Sequence, residues 1–148
     1  MLTHLILQSG SASPRGVIPI APSAILVYDQ LSERARANAD TDVLTIPGLE
    51  TWSRTYLGDT GVAHTDPLVS GAFIPFSASW PKTLILVGSG DIFIDVAREL
   101  EKRLAASNLE VELVEYEDRT HGWWVYSDIF PGDDQDAAQR IARFVFSS

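Results

Sequence analysis

In the second half of the chain the hydrophobic positions keep clear periods. Thr83-Leu84-Ile85-Leu86-Val87 is unbroken, which predicts a parallel strand buried on both faces. Phe93, Val96, Ala97, Leu100 and Leu104 then recur at helical spacing, with Arg98, Glu99, Glu101, Lys102 and Arg103 on the other faces. Glu99 and Arg103 form a favourable pair one turn apart, and Ser107-Asn108 ends this helix. Val111 to Tyr116 predicts the next strand. Asp133, Asp134 and Asp136 open a last helix, where carboxylates suit the positive end of the dipole. Ala137, Ile141, Phe144 and Val145 give that helix an inner stripe. The order strand, helix, strand, helix predicts right-handed crossovers and a doubly wound, mostly parallel sheet flanked by helices.

The first half is less regular. Leu2, Leu5 and Ile6 alternate with polar Thr3, His4 and Gln8 as in a short amphipathic helix, broken at Ser9-Gly10-Ser11. Nothing ahead of it supplies a cap, so it is expected to be cut from a longer element. Val17 to Ala21 predicts a brief buried strand, although Pro19 within it suits an edge, since proline has no N–H for a ladder. Residues 23–46 show no period: Ala24-Ile25-Leu26-Val27-Tyr28 fits a strand or a turn, and Asn38-Ala39-Asp40-Thr41-Asp42 is turn chemistry. Pro47 to Leu57 predicts a helix with proline in its first turn and Gly58 just past its end. Residues 58–82 predict a long loop holding one helical turn.

Ligands of such sheets bind beyond the carboxyl ends of the strands. Gly88-Ser89-Gly90-Asp91-Ile92-Phe93-Ile94-Asp95 leaves one strand end, and Glu117 to Trp124, with His121-Gly122-Trp123, leaves the next. Neighbouring strands lie about 4.8 Å apart, so an acid from one loop and a histidine from the other are within reach. A carboxylate on one imidazole nitrogen fixes the tautomer and stabilises the imidazolium formed when the other nitrogen takes a proton. Taken singly, Asp91 reads as a turn residue and Asp95 as the N-cap of the helix that follows. His121 alone is balanced between a loop and a functional histidine, and the pairing at corresponding strand ends favours function. His4 and His64 have no partners at ligand spacing. Trp123 and Trp124 read as packing residues. Gly88-x-Gly90 is a weak phosphate-loop motif, because position 93 is phenylalanine where a dinucleotide site needs glycine. No Gly-x-Ser-x-Gly occurs anywhere, so two thirds of a serine triad are present without the nucleophile.

Composition works by exclusion. At 148 residues the chain fits one domain. With 45% hydrophobic and 21% charged residues it is an ordinary folding sequence rather than a disordered one. A net charge of −9 argues against nucleic acid and anionic membrane surfaces as partners. The absence of cysteine excludes disulfides, thiolate metal sites and a cysteine nucleophile. No apolar run reaches the roughly eighteen residues of a membrane span, and a cytoplasmic location is the default expectation.

Several segments, in order, resemble the hormone-sensitive-lipase-like family of α/β-hydrolases, which are serine carboxylesterases and lipases. They are Asn38 to Thr45, Asp66-Pro67-Leu68-Val69-Ser70, Pro81 to Gly88, Asp91 with Asp95, and His121-Gly122. The resemblance runs from about Leu2 to Phe146. It implies the C-terminal part of an α/β-hydrolase fold, with Asp91 the triad acid, His121 the general base and Asp95 the second aspartate of the acid loop. Phe93-Ile94 between the aspartates departs from the family's commoner Pro-Leu-Arg, which leaves the choice between Asp91 and Asp95 open. The family's Gly-Asp-Ser-Ala-Gly nucleophile and His-Gly-Gly-Gly oxyanion loop have no counterpart here. Residues 1–148 are therefore expected to form one partial hydrolase domain, lacking the N-terminal strands.

Two functions follow. In the first, the parent activity is hydrolysis of a small carboxylic ester through a serine acyl-enzyme, and this chain alone is nearly inactive. No cofactor or metal is implied, and a complementing N-terminal half or a homo-oligomer is the expected partner. In the second, the chain is a non-catalytic, truncated hydrolase-like module that binds a partner through an exposed sheet edge near Val17–Ala21, where Pro19 would blunt the edge. Marginal stability is expected of the isolated chain.

Overall fold

The computed structural model describes all residues except Met1, Ser11, Ala12, Val27, Asp29, Gln30, Ser147 and Ser148. Its centre is the unbroken apolar run, now strand β2 (Lys82–Gly88), flanked by β1 (Gly16–Val17) and β3 (Val111–Tyr116) in a parallel sheet of order β1-β2-β3. Thr83 pairs with Val111 and the register runs on to Gly88 with Tyr116. On the other side only Gly16 with Lys82 and Val17 with Thr83 are paired in β1.

Both faces of β2 are covered, which is why its sequence is apolar without alternation. Ile85 and Val87 pack beneath helix α4 (Ile94–Ala106), against Ile94, Ala97, Leu100 and Leu104. Leu84 and Leu86 face the opposite way, into a cluster with Tyr116, Trp123 and Ala137 of helix α5 (Asp133–Phe146). β3 is half-exposed, and its two glutamates meet one arginine from each covering helix. Arg98 of α4 donates two hydrogen bonds of 2.7 Å to Glu115, while Arg140 of α5 lies 3.6 Å from Glu112. The Arg98 hydrogen bonds hold the Glu115 carboxyl below its ordinary pKa. A third cluster, of Tyr28, Leu31, Ala35, Leu49, Ile92, Phe93 and Val96, lies under the loop that leaves β2.

Three further helices complete the described structure: α1 (Leu2–Gln8), α2 (Glu33–Asn38) and α3 (Ile46–Leu57). Single 3₁₀ turns occur at Gly71–Phe73 and Trp123–Val125. Thr45 caps α3, with Pro47 in its first turn and Gly58 beyond its end at φ 51°.

The differences from the sequence reading have local causes. The strand expected over Val17–Ala21 stops after Val17, because Pro19 cannot donate to a ladder. Pairing resumes when the Pro19 carbonyl accepts from the Leu86 N–H and the Ala21 N–H donates to the Leu86 carbonyl. Asp95 is not an N-cap: α4 begins at Ile94, so Asp95 sits inside the first turn. Arg103 does not pair with Glu99. It donates to the Ile74 carbonyl at 2.9 Å, and Glu99 meets Lys102 instead. In α5, Ala137 is buried but Val145 is 55% exposed, so the inner stripe is shorter than expected. Helix α2 has no apolar period to announce it, with Ala35 alone buried. Val27, in the stretch read as strand or turn, and Ser11, in the first breaker, lie outside the described residues. Among the described residues no helix is long and apolar enough to cross a membrane.

Candidate active site

The loops leaving β2 and β3 are locked together before either side chain is considered. The ladder continues past the strands as the Ser89 N–H donates to the Tyr116 carbonyl at 2.8 Å. Ser89 Oγ then accepts from the Asp118 N–H, and the Gly90 N–H donates to the Arg119 carbonyl at 3.0 Å. Gly88 is glycine for a steric reason. A Cβ there would lie 1.9 Å from the Arg119 carbonyl oxygen. The two glycines thus serve close approach of the neighbouring loop rather than a phosphate. Arg119 is held in turn by an ion pair with Asp133 of α5.

Asp91 is fully buried. Its Oδ1 accepts from the Phe93 N–H at 2.7 Å, a local turn that accounts for aspartate at this position. Its Oδ2 lies 3.1 Å from His121 Nδ1. The turn residue and the histidine partner are therefore one carboxylate, each oxygen having its own donor. Gly122, next to His121, sits at φ 72°, a left-handed turn that leads into Trp123 and Trp124. The His121 ring packs edge-on to Phe93 and Trp124, at 5.8 and 6.2 Å between centroids. Trp123 is wholly buried against Tyr116, as its reading as a packing residue requires.

Burial disfavours the imidazolium. The Asp91 hydrogen bond and charge, with the Asp42 charge beyond them, outweigh it and raise the His121 pKa above its ordinary 6.5. With Nδ1 on Asp91, the other ring nitrogen is the one free to exchange a proton.

Asp95 is directed elsewhere. Its carboxylate accepts from Ser32 Oγ and pairs with Arg98 at 3.5 Å, and it lines a separate cleft with Ser32, Glu99 and Arg103. The carboxylate against His121 is that of Asp91. His64, by contrast, lies in an exposed loop with its Nδ1 2.9 Å from the Leu26 carbonyl.

Two side chains without assigned chemistry in the sequence reach this site. Asn38, the last residue of α2, donates to the carbonyls of Ser89 at 3.1 Å and Asp91 at 2.9 Å. Asp42, half-buried in the turn that follows, accepts from the Ile92 N–H at 2.8 Å through Oδ2 and from the His121 N–H at 3.1 Å through Oδ1. The turn chemistry of residues 38–42 conceals both contacts. The one signal in the sequence is that this segment belongs to those carrying the family resemblance.

His121 and Phe93 also line an open apolar cleft of about 350 Å³, with Tyr28, Leu49, Trp52 and Tyr56 among its walls. Trp52 and Tyr56 come from α3 and are 63% and 60% exposed. A carboxylate-bound imidazole lining an apolar cleft can accept and return a proton beside a hydrophobic substrate.

No curated protein matches the chain. Solved structures do. A hormone-sensitive lipase from a metagenome library superposes with a TM-score of 0.84 at 25% identity, over 98% of this chain and 49% of its own. An esterase/lipase from an uncultured bacterium gives 0.78 at 22% identity, over 91% and 44%. The esterase EstE5, soaked with p-nitrophenyl butyrate, gives 0.77 at 23% identity, over 89% and 43%. The chain thus spans about half the length of the enzymes it resembles. The alpha/beta hydrolase fold family model matches residues 1–125. With that match and the parallel sheet carrying loops of this kind, the chain belongs to the α/β-hydrolase fold family.

Proposed function

We propose that this chain supplies the general base and its orienting acid to a serine carboxylesterase. His121 takes the proton from a serine hydroxyl as that oxygen attacks the ester carbonyl, then returns it to the leaving alcohol. A water then attacks the acyl-enzyme with His121 again as base, releasing the carboxylic acid and the serine. Asp91 holds the imidazole in the Nδ1–H tautomer and stabilises the imidazolium that forms in each half. The observation that carries this reading is the 3.1 Å contact between a fully buried carboxylate and a histidine that lines an apolar cleft.

The cleft walls of Trp52, Tyr56 and Leu49 suit an apolar part of a small ester. The serine is not among the elbow motifs this chain could offer, since Gly-x-Ser-x-Gly is absent. By itself the chain should hydrolyse p-nitrophenyl butyrate at close to the uncatalysed rate.

The test is complementation. The chain is mixed or co-expressed with a separate segment bearing a relative's N-terminal strands, oxyanion loop and Gly-Asp-Ser-Ala-Gly elbow. Turnover should appear only in the mixture, and His121→Ala should lower it by about 10³-fold or more. Turnover that survives His121→Ala, or that the chain shows alone and retains in that variant, would overturn the assignment.

A further inference from the structure

We propose that Asp42 is a positioning residue of the Asp91–His121 pair, a clamp whose two carboxylate oxygens set the acid loop and the histidine loop at a fixed separation. The inference rests on the proposed roles of Asp91 and His121, but its test reads the clamp directly.

The geometry is specific to a carboxylate. Oδ2 holds the Ile92 N–H at 2.8 Å, one residue after Asp91, and Oδ1 holds the His121 N–H at 3.1 Å. Oδ1 also accepts from the Leu44 N–H at 3.2 Å, which ties the carboxylate to its own turn. The other links between the two loops run through Ser89, Gly90, Asp118 and Arg119, on the strand side of Asp91. Asp42 adds a link beyond it, and this one engages the backbone of His121 itself. Among the described residues, the other contacts of His121 with the acid loop are made by its ring, to Asp91 and Phe93.

The neighbouring Asn38 does the reverse chemistry, offering donors to the carbonyls of Ser89 and Asp91. The amide thus adds a donor to carbonyls that Arg34 and Ile94 also reach, whereas the carboxylate accepts from the Ile92 and His121 N–H groups. A side chain required only for the turn would need neither distant amide. The charge acts as well as the hydrogen bonds. The charged groups facing His121 are Asp91 and Asp42, its other ring neighbours Phe93 and Trp124 being neutral. Asp42 thus helps hold the imidazolium without touching the ring's exchanging nitrogen.

The experiment uses the whole ¹⁵N-labelled chain with Asp42→Asn and Asp42→Ala. Asparagine keeps one acceptor oxygen and sets an NH₂ donor against the second N–H, so one of the two amides must lose its partner. Alanine frees both. Amide exchange at Ile92 or His121 should therefore quicken by about tenfold or more in Asp42→Asn, and at both in Asp42→Ala. The Phe93 amide, held by Asp91, and the Leu84–Val87 ladder amides should stay within about threefold. The His121 ring titration, followed through its ¹⁵N shifts, should move to lower pH in both variants.

Unchanged exchange at Ile92 and His121 would overturn the proposal. So would acceleration only in step with the ladder amides, which marks general loosening, or a His121 midpoint that stays in place. Failure of complementation with these signatures intact would instead count against the esterase reading alone.

Discussion

The β2–α4–β3 unit and the segment from Gly16 to Leu26 are held in opposite ways. In the first, a continuous register joins Thr83–Gly88 to Val111–Tyr116, and Ile85, Leu86, Val87 and Ile94 are completely buried. In the second, two ladder pairs, an isolated bridge from Ile20 to Leu86 and scattered side-chain contacts do the work. The site draws on both kinds of structure. Asp91 and His121 leave the firm unit, Ser23 and Leu26 of the looser segment line the cleft, and Asn38, Asp42 and the cleft walls Tyr28 and Trp52 follow that segment in the chain. An acid–histidine pair can be placed by a ladder, whereas the Asn38 and Asp42 side chains around it are tied by individual hydrogen bonds to backbone groups.

Large-to-small substitutions in the two regions should expose that contrast, the larger deletion falling where packing is tighter. Phe93 of the acid loop is fully buried in the cluster with Tyr28 and Leu49, so Phe93→Ala should cost about 3–5 kcal/mol in urea unfolding. Val17→Ala, in the two-residue strand, should cost less than about 1.5 kcal/mol. Equal losses would mean that the edge is as cooperative as the centre. A finer cut lies at the two glycines. Gly88→Ala drives a methyl against the Arg119 carbonyl and should cost about 1–3 kcal/mol, with the Asp91–His121 contact disturbed. At Gly90 the same methyl would meet that oxygen at 3.2 Å, so Gly90→Ala should cost clearly less. Ranking the two by unfolding midpoint tests whether loop approach at Gly88 sets the strand-end geometry.

How far the sequence reveals this structure depends on what holds each part. β2, α4, β3 and α5 are legible because burial imposes a period, and both strand ends follow from them. The proximity of Asp91 and His121 is legible for the same reason, since parallel neighbours carry their loops to one rim. What distinguishes Asp91 from Asp95 is not periodic. It depends on α4 starting at Ile94, which turns Asp95 toward Ser32 and Arg98. Asn38 and Asp42 are illegible for a related reason: their partners are backbone groups far along the chain, and turn composition is the same with or without such partners. Arg119 contributes through its carbonyl, which no residue type encodes.

The smallest effect is a pH dependence of stability. The His121 pKa is raised in the folded chain, so folding takes up protons between its unfolded and folded values. The resulting stabilisation is complete below about pH 6.5, the ordinary histidine value, and fades as pH rises through the higher folded one. Urea midpoints measured from pH 5.5 to 8.5 should therefore decline across that window. His121→Gln should flatten the decline, because a neutral amide has no proton to release. Asp91→Asn should also reduce it by removing the charge that favours the imidazolium, at a separate cost in overall stability. A decline that persists unchanged in His121→Gln would assign it to other groups, and the firm unit would then hold its histidine by packing against Phe93 and Trp124 rather than by charge.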